Sequence, residues 1–226
     1  MSSEITPDFS EAPQPELYER TVNRARRIAR IMWRLDVIGQ ENVPMQGAGI
    51  LAFVHRSHMD PWILAAATPR ATRGMGKIEL LNWYYLGLGS KYFANRGLFF
   101  VNRDEGTSKR GSNDKAHSLL DKGLLLGIAP EGNLKNRGRE IGETRIGVGR
   151  MAARAAARGI DCPVVPVAMS TEHLWPGRKL SVIYGKPIDP APEGDTIWQV
   201  KAAAKDVDER LHMSMQELYD QVLDMQ

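Results

Sequence analysis

The chain has little cysteine, no long apolar run and no large excess of one charge. Its single cysteine, Cys162, excludes an internal disulfide framework and is typical of a reducing compartment. No apolar stretch reaches the roughly 18–20 residues that span a bilayer, and the polar, acidic N-terminus is unlike a signal peptide. The net charge of +3 and the 25% of charged residues are ordinary for a globular protein. We therefore expect a cytoplasmic globular protein.

Several signatures of catalytic and cofactor sites are missing as well. Ser57 lies near a histidine, but no Gly-x-Ser-x-Gly turn surrounds it, which argues against a serine hydrolase. His55 and His58 lack further ligands at a suitable spacing for a metal site. Gly87 and Gly89 have no third glycine and follow a predicted helix, so a dinucleotide-binding turn is not supported. We therefore expect neither a metal nor a bound cofactor.

Apolar runs alternate with helical patterns along the chain. Several runs are continuous, which is typical of strands that are covered on both faces. The predicted strands are residues 49–54, 98–102, 124–129, 163–168 and 179–184, with a loop or short strand at 36–48. The predicted helices are residues 16–35, 61–68, 78–87, 113–122, 145–158 and 197–224. This order predicts a disordered tail at 1–15 and one α/β domain at 16–226, with a largely parallel sheet flanked by helices.

The first predicted helix, residues 16–35, is basic and amphipathic. It carries six arginines and no acid between Arg20 and Arg34, beside an apolar face. The apolar face consists of Leu17, Val22, Ala25, Ile28, Met32 and Leu35. Such a helix, with Trp33 next to it, fits the interface of an anionic membrane, where each arginine contributes roughly 1 kcal/mol. A helix that simply packs on the core is an equal alternative, and the aromatic segment 80–86 is a second candidate for head-group depth.

His55 and Asp60 follow the apolar run 49–54 and set an imidazole and a carboxylate five residues apart. A neutral histidine can accept a proton near neutral pH, and a carboxylate on its other ring nitrogen fixes the tautomer. The pair therefore predicts a general base at a strand end. Asp60 also precedes Pro61, so it could simply cap the helix 61–68. The two roles are compatible, because each carboxylate oxygen can serve one of them.

Three further residues at predicted strands are candidates for a site. Arg103 ends one apolar strand, and its guanidinium suits a phosphate. Glu131 lies in the tight turn after another strand, where it could order Arg103 or bind a substrate hydroxyl; an exposed turn glutamate is the alternative. Pro166 lies inside a strand-like run and marks an edge, a bulge or a strand end. Ligands of open α/β sheets collect at the carboxyl ends of strands, so Arg103 and His55 can share a crevice.

In this order the segments resemble the four sequence blocks of the glycerolipid acyltransferases. They are most similar to those of the 1-acylglycerol-3-phosphate (lysophosphatidic acid) acyltransferases. The blocks are His55-x-Ser57-x-x-Asp60, Gly97…Phe100…Arg103, Pro130-Glu131-Gly132 and Val165-Pro166-Val167. Lys77 resembles the basic residue before the second block, and the resemblance covers roughly residues 36–190. Four blocks in order at plausible spacing favour the catalytic interpretation of His55 and Asp60.

The resemblance implies a single-step acyl transfer. His55, oriented by Asp60, would take the proton from an acceptor hydroxyl, whose oxygen would attack an acyl thioester of coenzyme A or acyl carrier protein. The implied substrate-binding residues are Arg103, Glu131, Gly132, Ser57, Lys77 and Pro166. Arg103, with Glu131 and Gly132, would hold the phosphate and glycerol of the acceptor. Pro166 would shape the acyl or donor channel.

The third block departs from the family pattern. Asn133 and Leu134 stand where the family has threonine and arginine, and Lys135 comes one residue late. Arg137 or Arg139 could substitute for the missing arginine. The departure makes a lysophospholipid with a larger head group, or a glycolipid, an alternative acceptor.

The resemblance and the absence of a spanning segment predict a peripheral enzyme on the inner face of the plasma membrane. Its expected partners are an acyl thioester donor, a lipid acceptor and an anionic membrane surface, without nucleic acid. An alternative of another class is a non-catalytic lipid-binding protein that uses the basic patches. The spacing of His55 and Asp60 argues against it, because binding alone does not need such a pair.

Overall fold

In the part of the chain that the structure describes, seven strands form one sheet at the centre of the fold. The computed structural model describes residues 15–77, 98–101, 108–132, 134, 138–144, 147–172, 174–192 and 194–226. The strands are β1 Arg34–Ile38, β2 Gly49–Phe53, β3 Thr72–Lys77, β4 Leu98–Val101, β5 Leu125–Ile128, β6 Val164–Met169 and β7 Lys179–Tyr184. Their order in the sheet is β1-β7-β6-β2-β5-β3-β4. Only the β6–β7 pairing of these strands is antiparallel, which confirms the predicted α/β fold with a largely parallel sheet.

Helices cover both faces of the sheet. They are α1 Pro15–Met32, α2 Asp60–Ala67, α3 Ser108–Asp121, α4 Gly147–Ala157 and α5 Ile197–Asp224. All five residues of β2 are buried. Successive side chains of a strand point to opposite faces, so Ile50 and Ala52 pack with α3, α4 and α5, whereas Leu51 and Phe53 pack with α2. This is why the sequence of β2 is a continuous apolar run.

Most predicted elements agree with the structure within a few residues, but two strands differ. The first helix ends at Met32, and β1 begins at Arg34, inside the predicted helix. The strand β3 was not predicted, because its sequence Thr-Arg-Gly-Met-Gly-Lys contains no apolar run. Its pairing with β5 and β4 overrides that weak local preference. The predicted helix 78–87 and residues 1–14 of the predicted tail 1–15 lie outside the described residues, whereas Pro15 is the first residue of α1.

Two glycines lie just after the ends of helices. Gly123 (φ 70°) and Gly159 (φ 77°) adopt the left-handed conformation after α3 and α4. Gly123 donates its N–H to Leu120, and the next residue, Leu124, donates to Leu119. This pair of bonds satisfies carbonyls that the last turn of a helix would leave without partners.

Pro166 lies inside β6, between β2 and β7, and not at an edge of the sheet. It stands opposite Ala52 of β2, whereas the ladder to β7 begins only at the next residue, Val167. On the β7 side, Gly185 donates its N–H to the Pro166 carbonyl at 2.9 Å. Of the three predicted positions, the structure excludes the edge, and it places Pro166 at the end of the pairing with β7. The proline is tolerated because it lies where the pairing with β7 stops, so its missing N–H removes no ladder bond.

The side of α1 that packs on the core overlaps the predicted apolar face in part, because Val22 and Ala25 line a cavity against α2, whereas Ile28 and Met32 are exposed. The Tyr18 hydroxyl accepts the Thr72 N–H at 2.9 Å, and Arg26 donates from Nε to the Ala66 carbonyl at 2.8 Å. Ala29 is also buried. Elsewhere along the helix three apolar side chains are exposed, Ile28, Ile31 and Met32. The core-packing alternative therefore holds for one side of α1, and the contact with a membrane stays a prediction.

Candidate active site

His55 and Asp60 meet just after β2, at the carboxyl edge of the parallel strands. The His55 Nδ1 atom lies 2.8 Å from Asp60 Oδ2. The His55 side chain is 20% exposed, whereas the Asp60 side chain is fully buried at 0%. The contact engages Nδ1, so Nε2 is the ring nitrogen left to take a proton from a bound hydroxyl. An oriented, partly accessible imidazole is what a general base needs.

The Asp60 carboxylate is held by three donors in addition to the imidazole. Its Oδ2 atom accepts the backbone N–H groups of Arg56 at 2.7 Å and Ser57 at 2.8 Å. Its Oδ1 atom accepts the hydroxyl of Thr171, which follows β6. A buried carboxylate without such partners would be costly. The donors therefore stabilise the carboxylate and fix its orientation toward His55.

Asp60 is the first residue of α2 and not the cap of that helix. The residue at the N-cap position is Met59, and no side chain makes a capping bond there. The interpretation of Asp60 as a simple cap is wrong, because both of its oxygens serve other groups. The Ser57 hydroxyl accepts the Met59 N–H at 3.2 Å and so supports the turn. A contact of Ser57 with substrate stays a prediction.

Arg56, which the sequence did not single out, is the centre of a buried ionic network. Its Nη1 atom lies 3.0 Å and 3.3 Å from the two carboxylate oxygens of Glu131. Its Nη2 donates to the Glu140 carbonyl at 3.1 Å, and its Nε lies 3.5 Å from Glu172 Oε1. The side chains of Arg56 and Glu131 are almost completely buried, at 1% and 0% exposed. Arg56 thus connects the turn after β2 to the turns after β5 and β6.

Tyr219 brings the long helix α5 into the same network. Its ring centroid lies 4.7 Å from the Arg56 guanidinium carbon, and Arg56 Nε lies 3.2 Å from its hydroxyl. The hydroxyl donates to Glu172 Oε1. Burial, together with this bond to Glu172, raises the pKa of Tyr219 above its usual range, so the phenol stays neutral. The spacing of Tyr219 from Leu211 and Met215, four residues per step, was the signal that places it on the buried face.

The other predicted site residues are placed less completely. Glu131 is not the exposed turn glutamate of the alternative, because it is buried against Arg56. Gly132 adopts φ 74° and donates its N–H to Ala129 at 3.1 Å, which closes the tight turn. Lys77 is the last residue of β3. Arg103 lies outside the described residues, two positions beyond the end of β4, and its predicted phosphate contact is untested.

Arg139 was one of two candidates to replace the arginine that the third block lacks. Its Nη2 atom lies 2.7 Å from Asp224 Oδ1, and its Nη1 atom lies 3.8 Å from Asp220 Oδ1, both on the last turns of α5. All three side chains are largely exposed. Arg139 is therefore paired on the surface of α5, and Arg137 lies outside the described residues.

A small apolar cavity adjoins the site behind Phe53. The rings of Phe53 and His55 meet edge to face, with centroids 5.8 Å apart. The cavity is lined by α1, α2 and the strands beneath them, and its volume is about 30 Å³. That volume is roughly the share of one water molecule in the liquid, so the cavity is too small for an acyl chain as it stands.

Two absences can be stated for the part of the chain that the structure describes. No group of three or more histidine, cysteine, aspartate or glutamate side chains is placed there to bind a metal ion. None of the helices described combines the length and the apolar character needed to cross a membrane.

The chain resembles known proteins in sequence and in fold. A family model described as Acyltransferase matches residues 34–170, a range that includes His55 and Asp60. The fold is similar to the crystal structure of the 1-acyl-sn-glycerophosphate (LPA) acyltransferase, PlsC, from Thermotoga maritima. The TM-score is 0.58 at 16% identity, over 88% of this chain and 82% of that one. No curated protein sequence matches significantly. The matches confirm the resemblance inferred from the four blocks. Thr171 and Tyr219 fall beyond the residues that the family model matches.

Proposed function

Because the chain belongs to the Acyltransferase family, we propose that it moves a fatty acyl group from an acyl thioester to a hydroxyl of a lysophospholipid such as 1-acylglycerol-3-phosphate. The observation that carries the proposal is the 2.8 Å contact between His55 Nδ1 and the fully buried Asp60. A protein that only binds lipid gains nothing from an imidazole held in one tautomer. The pair therefore favours chemistry over binding alone.

The proposed reaction is one direct transfer. His55 Nε2 takes the proton of the acceptor hydroxyl while that oxygen attacks the thioester carbonyl. The resulting imidazolium is stabilised by Asp60. The carbon–sulfur bond then breaks, and the departing thiolate receives the proton from His55, so the enzyme returns to its starting state. General base catalysis contributes a factor of about 10²–10⁴, and alignment of the two substrates contributes as much or more.

The donors around Asp60 support this mechanism. Thr171 and the backbone of Arg56 and Ser57 already point at the carboxylate before any substrate binds. Preorganised donors reduce the rearrangement that is required when charge develops. We assign Thr171 and Arg56 as positioning residues, because they act through Asp60 and through the turn that carries His55.

The acceptor site is proposed on the side of β5, β3 and β4. Arg103, Lys77 and Gly132 follow or end strands whose carboxyl ends lie at the same edge as His55. Arg103 is proposed as the main phosphate contact, because a guanidinium grips phosphate through two parallel bonds. The pairing of Arg139 with Asp224 removes one replacement for the missing arginine of the third block. A lysophospholipid with a larger head group, or a glycolipid, is therefore the alternative acceptor.

The proposed enzyme works on the inner face of the plasma membrane. Its donor is coenzyme A or acyl carrier protein carrying a fatty acyl group, and its acceptor is an amphiphile. The arginines of α1 and its exposed residues Ile28, Ile31 and Met32 support contact with anionic lipid.

The first experiment is release of free thiol from a long-chain acyl-CoA, with acyl carrier protein as a second donor. A panel of lysophospholipids and lyso-glycolipids in mixed micelles supplies the acceptor. We expect release that depends on an acceptor and falls at least 10²-fold in His55→Ala. The control is His58→Ala, which removes an exposed imidazole from the same turn and should leave turnover nearly unchanged. Absence of release with either donor, together with full lipid binding by His55→Ala, would instead support the non-catalytic alternative.

A further inference from the structure

The loop after β6 lies at the same edge of the sheet as the catalytic pair. β6 and β7 are antiparallel, with Met169 opposite Val182, so β7 begins where β6 ends. β1 runs parallel to β7, with Arg34 opposite Lys179, so β1 also begins at this edge. The end of α1 and residues 174–178 therefore stand at the edge that carries His55.

Backbone hydrogen bonds join these two segments. The Gly177 N–H donates to the Met32 carbonyl at 2.7 Å, and the Arg34 N–H donates to the Arg178 carbonyl at 3.1 Å. Three large apolar side chains in the joined segments are exposed, Trp175 at 68%, Ile31 at 76% and Met32 at 38%. Three exposed arginines accompany them, Arg30, Arg34 and Arg178. We call these six residues the edge patch.

We propose that the edge patch docks the protein on an anionic lipid bilayer and turns the catalytic edge of the sheet toward the lipid. This proposal adds residues 174–178 to the membrane contact proposed for α1. It rests on the proposed function only in what the enzyme does once it is docked. Tryptophan prefers the depth of the lipid head groups, where its ring is buried and its N–H stays wet. Each arginine near an anionic surface adds to the binding.

The positive charge of the edge patch indicates that its binding partner is an anionic lipid bilayer. Residues 174–178 and 20–34 contain no acidic residue. The nearby Asp36 is paired with Lys179 at 2.9 Å. Exposed apolar side chains surrounded by unopposed positive charge complement a surface that is apolar below and anionic above, which is the arrangement of a bilayer containing acidic lipids.

The same loop connects the patch to the chemistry. Thr171, which donates to Asp60, lies four residues before Trp175. Glu172, between them, contacts Arg56 and Tyr219. Docking through Trp175 therefore holds the bilayer surface next to the elements that orient His55.

The test is co-sedimentation of the full chain with vesicles of phosphatidylcholine alone or mixed with phosphatidylglycerol. We expect the wild type to bind the mixed vesicles, with roughly tenfold weaker binding for Trp175→Ser because a large apolar ring no longer leaves water. Arg178→Glu should weaken binding to the mixed vesicles only, and added salt should reduce its effect. Circular dichroism and thermal melting check that each variant is folded.

A matched control is Trp198→Ser. Trp198 is also highly exposed, at 75%, and carries Lys201 4.7 Å from its ring centroid. It lies at the start of α5, roughly 30 Å along the helix axis from Tyr219 at 1.5 Å per residue. Binding should be unchanged in Trp198→Ser. Equal loss in both variants, no loss in Trp175→Ser, or no binding by the wild type would each overturn the proposal.

Two readouts separate this proposal from the proposed function. Brominated lipid should quench tryptophan fluorescence in the wild type and in Trp198→Phe, and much less in Trp175→Phe, whether or not the protein has activity. If acyl transfer is found, Trp175→Ser should keep its turnover of a water-soluble short-chain acceptor and lose turnover of an acceptor in vesicles. Equal loss on both acceptors would place Trp175 in the fold of the site and contradict a docking role.

Discussion

The buried carboxylate of Asp208 should make the folded protein less stable as the pH rises. Asp208 lies on α5 at its crossing with α4, and only Oδ1 is bonded, by the Gly149 N–H at 3.1 Å. Oδ2 is buried without a hydrogen-bond partner. Burial raises the pKa of Asp208 from 3.8 to about 6, and the Gly149 N–H and Arg150 oppose the shift.

A pKa that is higher in the folded state means that protonation favours folding. The contribution of Asp208 to stability is therefore fully present below the unfolded pKa near 4 and is lost as the pH rises through about 6. The shift of about two pKa units corresponds to about 3 kcal/mol, since one unit is about 1.4 kcal/mol. Asp208→Asn imitates the protonated side chain and should remove this dependence.

The assay is urea unfolding of the wild type and of Asp208→Asn at several pH values between 4 and 8. The free energy of unfolding of the variant, relative to the wild type, should rise by up to about 3 kcal/mol across this window. Asp206→Asn serves as the control, because Asp206 is 60% exposed and pairs with Arg210 on the same helix. A difference between wild type and Asp208→Asn that stays constant with pH would refute the reasoning.

Four further predictions concern the site and the helix crossing. Asp60→Asn should lower kcat far more than it raises the acceptor KM, and near wild-type activity in a steady-state assay would rule out the paired base. Thr171→Val should lower kcat roughly tenfold or more, because a bond to a charged group is worth about 1.5–3 kcal/mol; an unchanged kcat would contradict its positioning role. Arg103→Ala should raise the acceptor KM sharply with little change for the thioester, and an unchanged KM would exclude it as the phosphate contact. Gly149→Ala should destabilise the fold by about 1–3 kcal/mol in thermal unfolding, because its Cβ would lie 2.2 Å from the Ala204 carbonyl; an unaltered melting temperature would show that the helices can separate.

The strands that the sequence predicted are those in which the buried residues form a continuous apolar run. β2, β5 and β6 are apolar throughout, and β7 is apolar apart from Lys179 and Ser181, because both faces of the sheet are covered. β3 is different, because two of its positions, Gly74 and Gly76, have no side chain to pack. Its pairing with β4 and β5 is what places it in the sheet. Local pattern therefore predicts a strand only when its own side chains supply the burial.

The same distinction applies to the site. His55 and Asp60 are five residues apart, so one turn brings them together, and the four sequence blocks in order favoured the pair over a simple helix cap. Arg56 meets Glu131 across 75 positions and Tyr219 across 163. No local pattern encodes such contacts, because they exist only once the sheet and α5 are assembled.

The position of β2 in the sheet has a consequence for how the protein reaches its active state. β2 is made early, yet its neighbours β5 and β6 come much later in the chain. Pairings between distant segments make folding slow, because long loops must close before contacts reward them. The contact between Arg56 and Tyr219 can form only later still, because Tyr219 lies near the end of α5. The turn that carries His55 thus gains its supporting contacts late, and a nascent chain contains His55 and Asp60 long before it contains the residues that hold this turn in place.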